Sequence, residues 1–135
     1  MKIIFSKETW ISFGDADPQG ILYYPRALDL AHTCLEEFWK GQRVGWKFWF
    51  QNPEFAVPIR HAECDFLSPL YVGENYQVRL GVSTIGESSV EFVCEILSSQ
   101  VCVRVRTVHV FVDRKTFQKI SVPEPVRELL SEGLF

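Results

Sequence analysis

One stretch decides what this chain can fold into. From Pro25 to about Lys40 the apolar residues Ala27, Leu30, Ala31, Cys34, Leu35 and Phe38 recur at i, i+3, i+4 spacing, the period of an α-helix. Leu28 and Trp39 carry apolar character around its flanks. A helix of that kind must be covered by more than one neighbour rather than laid on a surface. Pro25 suits the first turn, where its missing N–H costs nothing, and Gly41 is a C-terminal stop.

The rest of the chain offers mainly strands to cover it. Lys7 to Phe13 reads as a short strand ended by the turn-forming run Gly14 to Gly20. Pro58 to Phe66, Tyr76 to Ile85, Val90 to Leu97 and Val101 to Asp113 are β-rich, with turns at Ser68-Pro69, Gly86 to Ser89 and Ser98 to Gln100. Short connections between successive strands make the sheet antiparallel. Pro123 to Ser131 reads as a short C-terminal helix. The layout is α+β, with a curved antiparallel sheet wrapped around one long central helix. No repeat or linker divides it, so residues 1–135 are read as a single domain.

Composition narrows the partners. Fourteen basic against seventeen acidic residues give a net charge of −3, which does not draw the chain to a phosphate backbone, so no nucleic acid is expected. No run approaches the length of a membrane span, and the apolar run near Met1 is too short for a signal peptide core, so a cytoplasmic location is expected. Cys34, Cys64, Cys94 and Cys102 show no metal-ligand spacing and read as reduced thiols; no metal is expected. Eleven Phe, four Tyr and four Trp exceed what one small core needs. The surplus points to a face that packs on another subunit or on an apolar ligand.

Chemistry concentrates in the run Phe13-Gly14-Asp15-Ala16-Asp17-Pro18-Gln19-Gly20-Ile21-Leu22-Tyr23-Tyr24-Pro25. It sets Asp17 in a glycine-bounded loop just ahead of the buried helix. The first N–H groups of a helix lack internal partners and carry positive potential, so they can hold a carboxylate or a developing oxyanion. Asp17 or Asp15 then either caps the helix or presents a reactive carboxylate; the residues alone leave both open.

This run resembles the signature of the 4-hydroxybenzoyl-CoA thioesterases of the hotdog fold, in which a strand ends in Gly-Asp-x-Asp-Pro-x-Gly and leads into the central helix. The resemblance implies an acyl-CoA thioesterase acting on an aromatic, hydroxybenzoyl-like, or short-to-medium acyl group. It implies that Asp17 is the nucleophile or general base and that the Tyr24 backbone N–H polarises the carbonyl. Gly20 and Pro25, which shape the loop and the helix entry, count with the substrate-contacting residues. A thioester has a good leaving group, so no cofactor is implied. Related hotdog enzymes carry a histidine seven residues after the aspartate; here that position is Tyr24. A homo-oligomer, a dimer or a dimer of dimers, is implied too, and a curved sheet with free edges calls for one on its own account.

The remaining candidates are weaker. His32 is placed on the central helix to meet a polar substituent of the acyl group or a subunit contact. His61 and Glu63 alternate on one strand, so they share a face that either borders the site or meets solvent. The Trp46 to Phe50 cluster is an acyl-pocket wall, a lid or a subunit contact. The turn at Gly86-Glu87-Ser88-Ser89 is acidic where the resemblance calls for phosphate-gripping cations. Arg104 and Arg106, which project to one face, or Arg114 and Lys115, are expected to take that role, with CoA or an acyl carrier protein as the thiol carrier. Competing readings are a hotdog protein that binds acyl thioesters without turnover and a hotdog hydratase or dehydratase. The latter needs a histidine working with the carboxylate.

Overall fold

The computed structural model describes residues 1–132, and the expected α+β hotdog architecture is what it contains. A five-stranded antiparallel sheet is built from β1 (Lys2–Trp10), β3 (Ile59–Phe66), β4 (Asn75–Ile85), β5 (Ser89–Leu97) and β6 (Val101–Val110), in the order β1-β4-β5-β6-β3. Helix α1 (Arg26–Lys40) packs across its inner face against β1, β4 and β6. A short helix α2 (Trp46–Phe50) follows it, and α3 (Glu124–Glu132) lies near the end of the chain. Among the described residues no helix is long and apolar enough to cross a membrane.

The alternation of the strands accounts for the inner face. Register aligns Val78, Ile96 and Val103 in one row, Leu80, Cys94 and Val105 in the next, and Val82, Phe92 and Thr107 in a third. All but Thr107 are buried. Against them α1 buries Ala27, Ala31, Cys34, Leu35, Phe38 and Trp39. Each large side chain so removed from water stabilises the fold by roughly 1.5–3 kcal/mol. On the outer face the same register sets Arg79, Glu95, Arg104 and Asp65 side by side.

Several boundaries differ from the sequence reading. The first strand is Lys2–Trp10 rather than Lys7 to Phe13, because Lys2 to Ser6 pair with β4 through a bulge between Ile3 and Phe5. Ile11 leaves the sheet to exchange backbone bonds with Glu74 and Gly73, and Phe13–Asp15 winds into a 3-10 turn. The final run breaks at Phe111: β7 (Val112–Asp113) turns away to pair with β2 (Phe55–Ala56) in a second, two-stranded sheet. The Trp46 to Phe50 cluster is a helical turn whose Trp49 is buried, stacked on Trp39 at 4.6 Å and 18°. It closes the C-terminal half of α1 as core.

Strand β3 stands apart. It bonds to β6 along one side only, and every residue in it is exposed except the half-buried Cys64. Its inward side chains Ala62 and Phe66 therefore have little of their own chain above them.

Trp39 has no exposed surface, and it stacks on Trp49 while meeting Phe38 edge-on at 5.1 Å. Replacing it with alanine (Trp39→Ala) leaves a ring-sized void between α1 and α2. The expected loss is about 3–5 kcal/mol in unfolding free energy, read from the midpoint of urea unfolding at constant m-value.

Candidate active site

The loop ahead of α1 is a three-residue hairpin. The Asp17 carbonyl accepts the Gly20 N–H at 3.0 Å, and the Asp17 N–H donates to the Ile21 carbonyl at 2.8 Å. Pro18 presets the first turn residue. Gly20, at φ +82°, supplies the left-handed conformation that closes it. This geometry is why Asp-Pro-x-Gly appears here as a unit. The Asp17 Oδ1 accepts the Gln19 N–H at 2.8 Å, which fixes the half-buried carboxylate within its own turn.

Asp17 does not cap the helix. The N-cap position falls on Pro25, with no side-chain cap. Asp15 is likewise engaged elsewhere: its carboxylate accepts the Ser12 hydroxyl at 3.0 Å and lies 3.8 Å from Arg26 Nε. The capping role left open by the sequence is thus filled by neither aspartate. At the helix start the Tyr23 N–H donates to the Asp15 carbonyl, and the Arg26 and Ala27 N–H groups turn back to Tyr23 and Tyr24. No hydrogen bond among the described residues takes up the Tyr24 N–H.

Asp17 and Tyr24 line one cavity of about 310 Å³, walled by Leu22, Phe66, Leu70 and Val103. A second cavity of about 270 Å³ lies further along α1, between Leu28, Ala31, His32 and Leu35 on the helix and Phe92, Val105, Thr107 and His109 on the sheet. The two follow one another along the groove between α1 and the β6–β3 side of the sheet. Leu28 is one helical turn past Tyr24, and Val105 is the next inward residue of β6 after Val103.

A model of the thioesterase-like superfamily matches residues 11–130. The chain belongs to that superfamily. It is 31% identical to a 1,4-dihydroxy-2-naphthoyl-CoA hydrolase of Nostoc punctiforme over 127 residues, covering 93% of this chain and 86% of the relative. A protein of the same name from Gloeothece citriformis is 28% identical over 84% of this chain and 82% of its own. The crystal structure of a 1,4-dihydroxy-2-naphthoyl-CoA thioesterase from Synechocystis superposes with a TM-score of 0.85 at 23% identity, over 95% of this chain and 96% of that one. The resemblance read from the Asp17 loop therefore holds at the level of the superfamily, while these relatives are named for a bicyclic acyl group rather than for 4-hydroxybenzoate.

Within this thioesterase-like fold the other expected site residues fall as follows. Gly20 shapes the Asp17 turn, and Pro25 opens the helix beside Tyr24. His32 lines the second cavity and pairs with Glu36 at 2.8 Å; Glu36 also accepts the Trp46 indole N–H. His61 lies away from both cavities, on the outer face, 2.9 Å from Glu63. Neither His32, His61 nor His109 lines the cavity that holds Asp17, so no carboxylate–histidine pair of the hydratase kind is assembled there.

Arg104 and Arg106 do share one face, but the expected free cationic patch is not there. Glu95, directly opposite, accepts from both Arg79 and Arg104 at 2.9 Å, and Arg106 donates to both Glu91 oxygens at 3.0 Å. Burial raises the Glu95 pKa, but hydrogen bonds and charge from the two arginines outweigh it and hold the carboxyl below its ordinary range. Arg114 donates to the Asn52 carbonyl at 2.7 Å, and neither it nor Lys115 lines the Asp17 cavity. Among the described residues no three His, Cys, Asp or Glu side chains converge as a metal site.

His109 is the residue that motif reading missed. It carried no motif; its only signal is its phase, in line with Val103, Val105 and Thr107 on the inward side of β6. Burial, with His32 adding to it, lowers its pKa from 6.5 to about 4. The folded state therefore binds fewer protons than the unfolded one between those values, and stability falls as pH drops from 6.5 towards 4, by up to about 3 kcal/mol. Urea unfolding at pH 7, 5.5 and 4 should show that component in the wild type and not in His109→Phe.

Proposed function

We propose that this chain hydrolyses aromatic acyl-CoA thioesters, with a hydroxylated bicyclic acyl group of the naphthoyl type as the preferred class. The observation that carries the reading is the meeting in one cavity of Asp17 and Tyr24, whose N–H has no hydrogen-bond partner among the described residues. The names of the relatives support the acyl class.

In this reading the thioester oxygen takes the Tyr24 N–H, which stabilises the negative charge that grows there as the carbonyl carbon is attacked. Asp17 supplies the attack in one of two ways. Its carboxylate oxygen adds to the carbonyl, expels the CoA thiolate and leaves an anhydride that water then opens. Alternatively it takes a proton from the water that adds directly, and the thiolate leaves from the resulting adduct. The Gln19 N–H steadies the carboxylate through either course.

Asp17→Asn keeps the side-chain oxygen that accepts the Gln19 N–H, but it can neither attack nor take a proton. Thiol release from hydroxynaphthoyl-CoA should fall about 10²-fold or more while circular dichroism and melting temperature hold. A pure variant that turns over near the wild-type rate would remove Asp17 from the chemistry.

The active unit in this reading is a dimer at least. Strand β3 has one unpaired edge and an inner face that its own α1 does not cover. Tyr24, Phe66 and Leu67 stand exposed around the Asp17 cavity. A second copy pairing at β3 would satisfy the backbone edge and cover that apolar rim together. Light scattering at micromolar concentration should give twice the chain mass or four times it; a monomer at that concentration would contradict the arrangement.

A further inference from the structure

The cavity that holds Asp17 is lined by no cation of its own chain; apart from Asp17 its walls are apolar or neutral. A CoA thioester carries several negative charges, and a mouth whose only charge is a carboxylate repels them. Most arginines are committed elsewhere. Arg26 lies between Asp15 and Asp29, Arg79 and Arg104 hold Glu95, and Arg106 holds Glu91. Arg43 reaches Glu132, while Arg114 and Arg127 donate to backbone carbonyls. Arg60 is exposed, and its side chain is the one guanidinium with neither a hydrogen bond nor an ion pair among the described residues.

Arg60 stands where β3 slips against β6, between Ile59 and His61. By alternation it faces away from His61 and Glu63, to the side of Ala62, Cys64 and Phe66. Within its own chain it is at the wrong end of the strand. Phe66, which lines the Asp17 cavity, lies the length of β3 away, about 20 Å. The free edge of β3 reverses this. Two copies related by a twofold axis pair antiparallel along that edge, so the start of one β3 meets the end of the other. Inner faces must stay together, because a one-residue slip would turn every side chain over. Two registers then give the longest ladder. With Ala62 on the axis, His61 stands opposite Glu63 of the partner subunit, and Arg60 lies diagonal to the partner's Phe66. With Glu63 on the axis, two carboxylates face each other and Arg60 lies directly opposite Phe66 of the partner subunit. Both separations are within reach of a long side chain.

We propose that Arg60 of the partner subunit is a binding residue of the Asp17 site, placed at the rim by Phe66 to take a phosphate of the CoA. This assignment rests on the thioesterase reading and the β3 dimer above, and it deepens them: each site is incomplete without the second copy. The aromatic acyl group brings no fixed charge, so the phosphates are the anions of this substrate. The pantetheine arm carries them out of the cavity to its rim. A guanidinium there is free to bind phosphate through two parallel hydrogen bonds.

The test compares thiol release from hydroxynaphthoyl-CoA and hydroxynaphthoyl-pantetheine by the full-length wild type and by Arg60→Ala. The variant should raise KM for the CoA thioester about tenfold or more, with kcat nearly unchanged and the pantetheine thioester unaffected. A variant that keeps the wild-type preference, or that dissociates to monomers in light scattering, overturns the assignment. Mixed assemblies of Asp17→Asn and Arg60→Ala chains, isolated through two affinity tags, decide which copy Arg60 serves. They contain a site that joins an intact Asp17 to an intact Arg60 only if the arginine acts across the dimer. A component with the wild-type KM for the CoA thioester supports the proposal; the raised KM alone overturns it. If neither thioester releases thiol, it is the hydrolase reading that fails, and calorimetry with CoA and pantetheine judges Arg60 separately. CoA binding about tenfold weaker in Arg60→Ala, with pantetheine binding unchanged, supports the phosphate contact; equal CoA affinity overturns it.

Discussion

Everything in this chain depends on burying α1 in the concave side of a single sheet. The helix contributes Ala27, Ala31, Cys34, Leu35, Phe38 and Trp39 to the core, and strands β4, β5 and β6 answer with rows of Val, Leu, Ile and Phe at matching positions. Trp39 and Trp49 lock the far end by stacking. Once the helix axis is fixed, its beginning is fixed too, and so is the place where the Tyr24 N–H emerges. The hairpin that carries Asp17 is then tied to that beginning by the bond from Tyr23 N–H to the Asp15 carbonyl. The site is thus positioned by packing some distance away, which is why a core substitution at Trp39 bears on more than stability.

The two faces of the sheet solve different problems. The inner face needs apolar rows, and the outer face must carry charge without wasting it. Glu95 shows how: only 6% exposed, it remains ionised because Arg79 and Arg104 flank it in register. Glu91 is held low by the Ser83 hydroxyl and Arg106 in the same manner. Cations that look available in the sequence are committed to these carboxylates. Alternation correctly sets Arg104 and Arg106 on one face, but it says nothing about what stands on the neighbouring strand.

That contrast describes what the sequence makes legible. The helix period, the Asp17 turn and the antiparallel order are local signals, and local signals survive into the structure with shifts of a residue or two at most element ends. What was not legible depends on pairing across strands or on distant chain. Lys2 to Ser6 join the sheet because β4 offers a partner, the last strand breaks because β2 draws Val112 and Asp113 away, and Trp46 to Phe50 become a helical turn because Trp39 receives Trp49. The sequence left a capping role open for Asp17 because it precedes a helix; in space its carboxylate accepts the Gln19 N–H within its own hairpin. His109 gave no sign beyond its phase on β6, since the cavity it lines is also made by residues as far back in the chain as Leu28.

The two cavities differ in the kind of group that lines them. At one end the useful groups are backbone and turn: an N–H released by the helix start, and a carboxylate held by the Gln19 N–H. Such groups tolerate little change, because they are consequences of the hairpin and of where the helix begins. At the other end the groups are side chains on a regular helix and a regular strand, namely His32, Thr107 and His109 among Leu35, Phe92 and Val105. Each of these can be exchanged without moving the backbone that carries it. In the proposed reading the carbonyl stays between Asp17 and Tyr24, while the side chains that wall the groove can change with the acyl group. Chains sharing this hairpin should therefore differ more in their acyl preference than in the bond they attack.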